Sequence, residues 1–288
     1  MENVMNRYDE TAPILVLGGT GKTGQRVVKR LIEQGQPVRI GSREAALPFD
    51  WDAPETWAPV VEGTRAIYIA YHPDLAVPGA LKTVGDFVET ALRAGVKRMV
   101  LLSGRGEEEA EQTEQMLIAS GADWTIVRAS WFFQNFSETF LADAINTGEV
   151  ALPIGDVKEP FIDVEDIADV AAAALTDPAH IGKLYEVTGP ELLSFSEAVA
   201  GIAAASEKPI RYRQIPAADY KAAMEQAGVP EDMISLVLYL FTTVLDGRNA
   251  NVTDGVSQAL GRPPRRFTDY AKRTSLTGIW GVETAALA

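Results

Sequence analysis

The chain of 288 residues is 47% hydrophobic and carries a formal net charge of −14, with 26 Lys and Arg against 40 Asp and Glu. That acidity argues against nucleic acid or an anionic membrane surface as a partner. The absence of cysteine excludes disulfides, thiolate nucleophiles and zinc–thiolate centres, and with only His72 and His180 no metal site is expected. Residues 1–10 hold no apolar h-region, and no uninterrupted apolar stretch reaches the length of a membrane span. A cytoplasmic protein is therefore expected. The length fits one large α/β domain with a small appendage.

The first element is a strand, Ile14-Leu15-Val16-Leu17, read from four consecutive apolar residues with β-branched members. Gly18-Gly19-Thr20-Gly21-Lys22-Thr23-Gly24 follows. A helix then opens, with Val27, Val28, Leu31 and Ile32 on one face. Strand, glycine turn and helix is the context in which a glycine pattern becomes a nucleotide-binding candidate. Gly18 suits a tight turn, Gly21 lets the backbone approach a pyrophosphate, and Gly24 lets the helix pack close to the strand. The helix N-terminus would offer N–H groups to the phosphates. The plain alternative is a tight strand-to-helix turn without a ligand. The motif is not a P-loop, because Val16, not a glycine, stands six residues before Lys22.

Gly35 is a candidate helix C-cap, and Val38 and Ile40 make a short second strand. The residue type after this strand selects between NAD and NADP. Here there is no acid; Ser42 and Arg43 stand there, so NADP(H) is the expected cofactor. Arg43 can bind a phosphate bidentately, with Ser42, Thr20, Lys22 and Thr23 beside it, or it is simply a solvated surface arginine. Asp50, read as following a third strand, is a candidate at the adenine; otherwise it is a carboxylate capping the helix near Pro54. Ala66 to Ala70 reads as a buried strand just past the topological switch point, so Ala70, Tyr71 and His72 stand where ligands lie. A helix from Pro78 to Ala94 and a strand from Arg98 to Ser103 come next. Ser103, at the strand's carboxyl end, is a candidate catalytic and cofactor-binding residue. The acids Glu107 to Glu111 open the following helix, where the dipole favours them.

Further on, Trp124 to Arg128 is a strand, and Trp131, Phe132 and Asn135 are candidates for contact with a flat substrate. Asn135 either bonds the cofactor's carboxamide or caps a helix, and some of the aromatics must face the core. Residues 148–160 read as a turn-rich connection. An alanine-rich helix starts at Asp163-Val164-Glu165-Asp166 and runs through Leu175, and Tyr185 to Thr188 is a late strand. Ser194 with Glu197 has the spacing of a capping box. From about Pro209 helices dominate, at 217–227, 230–245 and 266–273.

The glycine motif, Val100-Leu101-Leu102-Ser103-Gly104, Glu114, Ser120 to Arg128, Trp131 to Asn135 and Pro160 to Ala168 together resemble the NmrA-like family of atypical short-chain dehydrogenases/reductases. The resemblance implies an α/β Rossmann-like, doubly wound parallel sheet over residues 1–189, with 131–160 contributing to a cleft. It also implies a smaller, mainly helical substrate or lid subdomain over 190–288. The implied activity is NADPH-dependent hydride transfer to a small aromatic or quinone-like acceptor, with Ser103, His72 and Tyr71 near the reacting ring. The family also holds NADP-binding regulators. A regulator that binds a partner protein, and a non-redox isomerase or cyclase, are therefore the alternatives, and a homo-oligomer is compatible with any of them. One departure matters. The Tyr-x-x-x-Lys dyad of short-chain dehydrogenases falls on Ala110 and Glu114, neither of which can move a proton as tyrosine does.

Overall fold

A computed structural model of the chain describes residues 11–281. Short apolar runs alternate with amphipathic segments over its first half, and a parallel sheet with flanking helices is the architecture that buries both. In chain order the first elements are β1 (Ile14–Leu17), α1 (Lys22–Glu33), β2 (Val38–Gly41), α2 (Trp57–Val61), β3 (Ala66–Ile69), α3 (Ala80–Arg93), β4 (Arg98–Gly104), α4 (Glu108–Ala119) and β5 (Asp123–Ala129). They continue with α5 (Phe140–Thr147), β6 (Glu149–Leu152), α6 (Val164–Thr176), β7 (Lys183–Val187), α7 (Phe195–Ser206) and β8 (Arg211–Gln214). The last are α8 (Ala217–Gln226), α9 (Glu231–Tyr239), α10 (Gly255–Leu260) and α11 (Phe267–Ser275).

The chain divides into two units. The first takes the chain up to Ala129, Val164–Val187 and Gly255–Arg262. Its sheet has the order β2-β1-β3-β4-β5-β7, with every neighbouring pair parallel. From β1 the chain steps one way to β2 and the other way to β3, so the switch point lies between β1 and β3. Side chains alternate between the two faces of the sheet. Leu15, Leu17, Ile67, Ile69, Met99 and Leu101 share a core with Val84, Phe87, Val88 and Ala91 of α3 and Leu117 of α4. Ile14, Val16, Tyr68 and Val100, of opposite parity, are just as buried. Helices α1 and α6 pack against the strands and against each other.

Helix α6 is nearly apolar all round, and Ala171, Ala172 and Ala174 are fully buried. Small side chains let it approach α1 closely, and charges at its start tie the pair. Arg26 Nε meets Glu165 Oε1 at 2.7 Å and Arg30 Nε meets Asp169 Oδ1 at 2.6 Å, while Arg262, just past α10, reaches Asp166 at 2.8 Å.

The second unit takes Ser130–Asp163, Thr188–Asp254 and the chain from Pro263. An aromatic core of Phe133, Phe136, Phe161, Phe195, Phe241, Phe267, Tyr270 and Trp280 organises it. Trp280 Nε1 donates to the Phe136 carbonyl at 2.8 Å, so the indole's one polar atom is satisfied inside that core. The capping box at α7 is formed. Ser194 Oγ accepts from the Glu197 N–H, and Glu197 Oε2 accepts from the Ser194 N–H at 2.8 Å.

Three features differ from the sequence reading. Residues 42–53 carry no strand, so no third strand precedes Asp50; among the described residues β2 stands at the edge of the sheet. The stretch read as turns, 148–160, contains β6, which pairs in parallel with β8 from Glu149↔Arg211 to Leu152↔Gln214. The division read at residue 189 falls elsewhere: residues 130–163 belong with the second unit, and 255–262 return to the first. Among the described residues no helix is long and apolar enough to cross a membrane.

Candidate functional site

The glycine turn leaves β1 at the sheet's carboxyl edge. Gly18 adopts φ +63°, a left-handed conformation that costs other residues energy. Its N–H donates to the Gly41 carbonyl at 3.0 Å, and its own carbonyl accepts the Gly21 N–H at 2.8 Å. Gly24, in the first turn of α1, lies so close that a Cβ there would fall 2.1 Å from the Gly18 oxygen. Gly21, the N-cap of α1, is different: an added Cβ would meet only the Gly18 oxygen, at 3.3 Å, and otherwise enter open space. The turn therefore leaves a recess above Gly21, facing the N-terminus of a twelve-residue helix with no acid in its first turn. First-turn N–H groups have no partner within the helix, and the dipole adds positive potential there. This cradle fits a pyrophosphate. Ala70, at the end of β3, lies beside it, with its Cβ 3.8 Å from the position a Cβ on Gly18 would take. Lys22 is half-buried and Thr23 buried at the start of α1.

Beside the turn an open cleft of about 530 Å³ is lined by Thr20, Arg39, Ser42 and Glu44, with Val38, Ile40 and residues 45–47 completing it. Sequence reasoning placed Thr20 and Ser42 here. It missed Arg39, whose Nη1 donates to the Val60 and Glu62 carbonyls at 2.8 and 2.6 Å, and it missed Glu44. Arg43 is exposed and is not among the lining residues. An arginine in mid-strand gives no signal of facing a cleft; the cleft follows from the place of β2 at the end of the strand order among the described residues.

Asp50 is part of a turn. Its Oδ1 accepts from the Asp52 N–H at 3.1 Å, and its carbonyl accepts Trp57 Nε1 at 2.7 Å. Tyr71 is half-buried, its ring 5.0 Å from Trp51 in an aromatic group with Phe49, Trp57 and Phe87. His72 is exposed and precedes a cis proline, Pro73.

At the end of β4 the structure brings together residues that the sequence kept apart. Ser103 is 4% exposed, and its Oγ donates to Glu114 Oε1 at 2.6 Å. Glu114, fully buried on α4, takes both Nε and Nη2 of Arg128 from β5, the Nε bond measuring 2.9 Å. Arg128 also faces Glu186 of β7 at 3.5 Å, and Arg105 Nε donates to Glu186 at 2.7 Å. The hydrogen bond that Arg128 donates to Glu114 holds its guanidinium above the usual pKa. Ala110 is fully buried on the same helix.

A second acidic group was missed. Glu107, the N-cap of α4, is 8% exposed, and its carboxyl covers Gly104, within 2.3 Å of where a Cβ would stand. Burial, reinforced by the Asp74 charge, pushes the Glu107 carboxyl up to about 9. Its proton is donated to Asp74, which also accepts the Ala76 N–H at 2.9 Å. Burial also raises Asp74. In the sequence these acids read as a helix start, and nothing there marks Glu107 as the one turned inward.

Trp131, Phe132 and Asn135 lie in the second unit. Trp131 is half-buried, its ring 5.5 Å from Phe195 and 5.2 Å from Phe241. Phe132 is half-buried and pairs with Ile162 through the backbone. The Asn135 carbonyl accepts the Thr139 hydroxyl at 2.6 Å.

The model of the NmrA-like family matches residues 10–270. Among curated proteins, an NAD(P)H azoreductase of Xenophilus azovorans is 33% identical over 281 residues, covering 90% of this chain and 96% of its own. Prestalk A differentiation protein A of Dictyostelium discoideum is 31% identical over 278 residues, covering 91% and 92%. Among solved structures, an NADPH-dependent quinone oxidoreductase of Escherichia coli in complex with NADPH superposes with a TM-score of 0.75. It shares 20% identity, over 90% of this chain and 99% of its own.

Proposed function

The chain belongs to the NmrA-like family, and from that premise we propose that it is an NADP(H)-dependent reductase of a small conjugated aromatic acceptor, an azo compound or a quinone. The observation that carries the reading is the recess above Gly21 at the N-terminus of α1. The adjoining cleft, with Thr20, Ser42 and Arg39, offers donors for the adenosine phosphate, and Arg43 lies next in the chain. The azoreductase relative, similar over nearly the whole chain, supports the acceptor class. NADPH, when bound, supplies a hydride.

The chain's own residues hold the dinucleotide and orient it, a contribution from proximity more than from acid–base chemistry. With Ala110 and Glu114 at the positions of the usual dyad, the tyrosine–lysine pair that protonates a carbonyl is replaced. Conjugated acceptors, whose negative charge spreads over nitrogens or ring oxygens after hydride addition, need that help least, and solvent supplies their proton. The non-enzymatic reading, an NADP(H)-sensing regulator, draws on the same lack of an acid.

Titration with NADPH and NADH, followed by loss of reduced-nicotinamide absorbance against azo dyes, quinones and triphenylmethane dyes, separates the readings. NADPH binding with acceptor-dependent oxidation is the expected result. Binding without turnover across the panel would transfer the case to the regulator.

A further inference from the structure

A serine hydroxyl has one proton and two lone pairs. In Ser103 that proton is committed. Oγ donates at 2.6 Å to Glu114, a carboxylate with no exposure that Arg128 grips through two nitrogens. An ionised carboxylate accepts only, so Ser103 cannot exchange roles with it. Turning the hydroxyl elsewhere would strip a buried charge of a charge-assisted hydrogen bond. Whatever lies against Ser103 therefore meets an acceptor. This is the reverse of a serine that donates to a substrate carbonyl.

The position of Ser103 selects the ligand atoms that meet it. The glycine turn abuts the end of β3 at Ala70, and β4 is the next strand, pairing β3 in register from Ala66↔Arg98 to Ile69↔Leu101. Parallel strands stand about 5 Å apart. A dinucleotide whose pyrophosphate sits over Gly21 and whose adenosine turns toward β2 thus runs its other half across the ends of β3 and β4. That half carries hydrogen-bond donors, the nicotinamide carboxamide N–H₂ and the ribose hydroxyls.

We propose that Ser103 binds the nicotinamide-ribose half of the cofactor as a hydrogen-bond acceptor, in a polarity fixed by Glu114 and Arg128, and takes no part in donating to the substrate. The inference rests on the nucleotide reading above and deepens it. Glu114 is here a positioning residue: it acts on the ligand only through the direction of the Ser103 O–H bond. The same polarity explains why this end of the sheet suits an acceptor that needs no carbonyl polarisation.

The test is calorimetric titration of wild type, Ser103→Ala and Ser103→Thr with NADPH and with its adenosine half, 2′,5′-ADP. Ser103→Ala should weaken NADPH about tenfold, the loss of one hydrogen bond, while changing 2′,5′-ADP less than about twofold. Ser103→Thr, which keeps the hydroxyl, should recover NADPH affinity to within about threefold. Repeating the Ala comparison with the acetylpyridine analogue, which lacks the carboxamide N–H₂, identifies the donor. If the analogue is indifferent to the substitution, the carboxamide is the donor; if it weakens as NADPH does, the donor is a ribose hydroxyl. Unchanged NADPH affinity in Ser103→Ala overturns the proposal, and so does equal weakening of both ligands. Wild type that binds neither ligand overturns the nucleotide reading, and this inference with it.

Discussion

The backbone of α1 touches the backbone of the turn that precedes it: the Gly24 α-carbon faces the Gly18 carbonyl so closely that a Cβ would lie 2.1 Å from its oxygen. Both partners are main chain, so neither can swing aside. Gly24→Ala should destabilise the protein by about 3 kcal/mol or more and abolish nucleotide binding. Gly21→Ala should do the reverse. Its Cβ meets one atom, at 3.3 Å, so the fold loses about 1 kcal/mol or less at this N-cap. The Cβ fills the recess instead, and NADPH affinity should fall more than about tenfold. Thermal melting beside NADPH titration checks the pair. Equal effects of the two substitutions on stability would refute the distinction.

The glycine spacing was legible because each glycine answers to a local constraint within one strand, turn and helix. The same holds for the capping box at Ser194 and Glu197, where both partners are three residues apart. What the sequence hides is non-local. Strand β6 is four residues between Gly148 and Pro153, and its partner β8, Arg211–Gln214, has no apolar alternation to announce it. Ser103 was found by its place at a strand end, yet its role is set by Glu114 and Arg128, from a helix and another strand. The sequence shows Glu114 only as a helix residue, and its burial, which makes the pairing necessary, appears only in the fold. The two units are likewise assembled from interleaved segments, and the shift towards helices from about Pro209 falls at none of those crossings.

The Glu114–Arg128 pair sets up a test of buried charge. Glu114 has no exposure and Arg128 is 17% exposed. Arg128→Ala leaves a carboxylate buried beside Ser103 alone and should cost about 3–5 kcal/mol. Replacing both, Glu114→Leu with Arg128→Met, removes the unpaired charge and should cost markedly less than the single change. Urea denaturation of the three variants decides it. A double variant no more stable than Arg128→Ala would show that the pair contributes through packing and not through charge compensation.

Glu107 predicts a pH dependence with a definite sign. Its carboxyl moves from a usual 4.5 to about 9 on folding. Between those values the folded protein keeps a proton that the unfolded chain releases. Stability from this group is therefore present below pH 4.5 and is lost progressively as pH rises towards 9. Glu107→Gln removes the titration and keeps a donor for Asp74. Its stability should change less with pH across that window and exceed that of wild type at the alkaline end. Denaturation midpoints of the two proteins that run parallel over the whole window would rule out the buried proton.

Cofactor selectivity should turn on the cleft beside the glycine turn. Arg39 and Glu44 line it together, the guanidinium steadied by the Val60 and Glu62 carbonyls and the carboxylate exposed. A carboxylate near the phosphate that distinguishes NADPH from NADH costs roughly 1 kcal/mol in so open a place. Glu44→Gln should therefore raise the NADPH-over-NADH affinity ratio about fivefold. Arg39→Ala should lower that ratio, and by more than Arg43→Ala, because Arg39 lines the cleft and Arg43 does not. Titrating the three variants with both nucleotides gives the order directly. An Arg43→Ala effect larger than that of Arg39→Ala would place the phosphate on the exposed side of the loop after β2, as the sequence alone suggested.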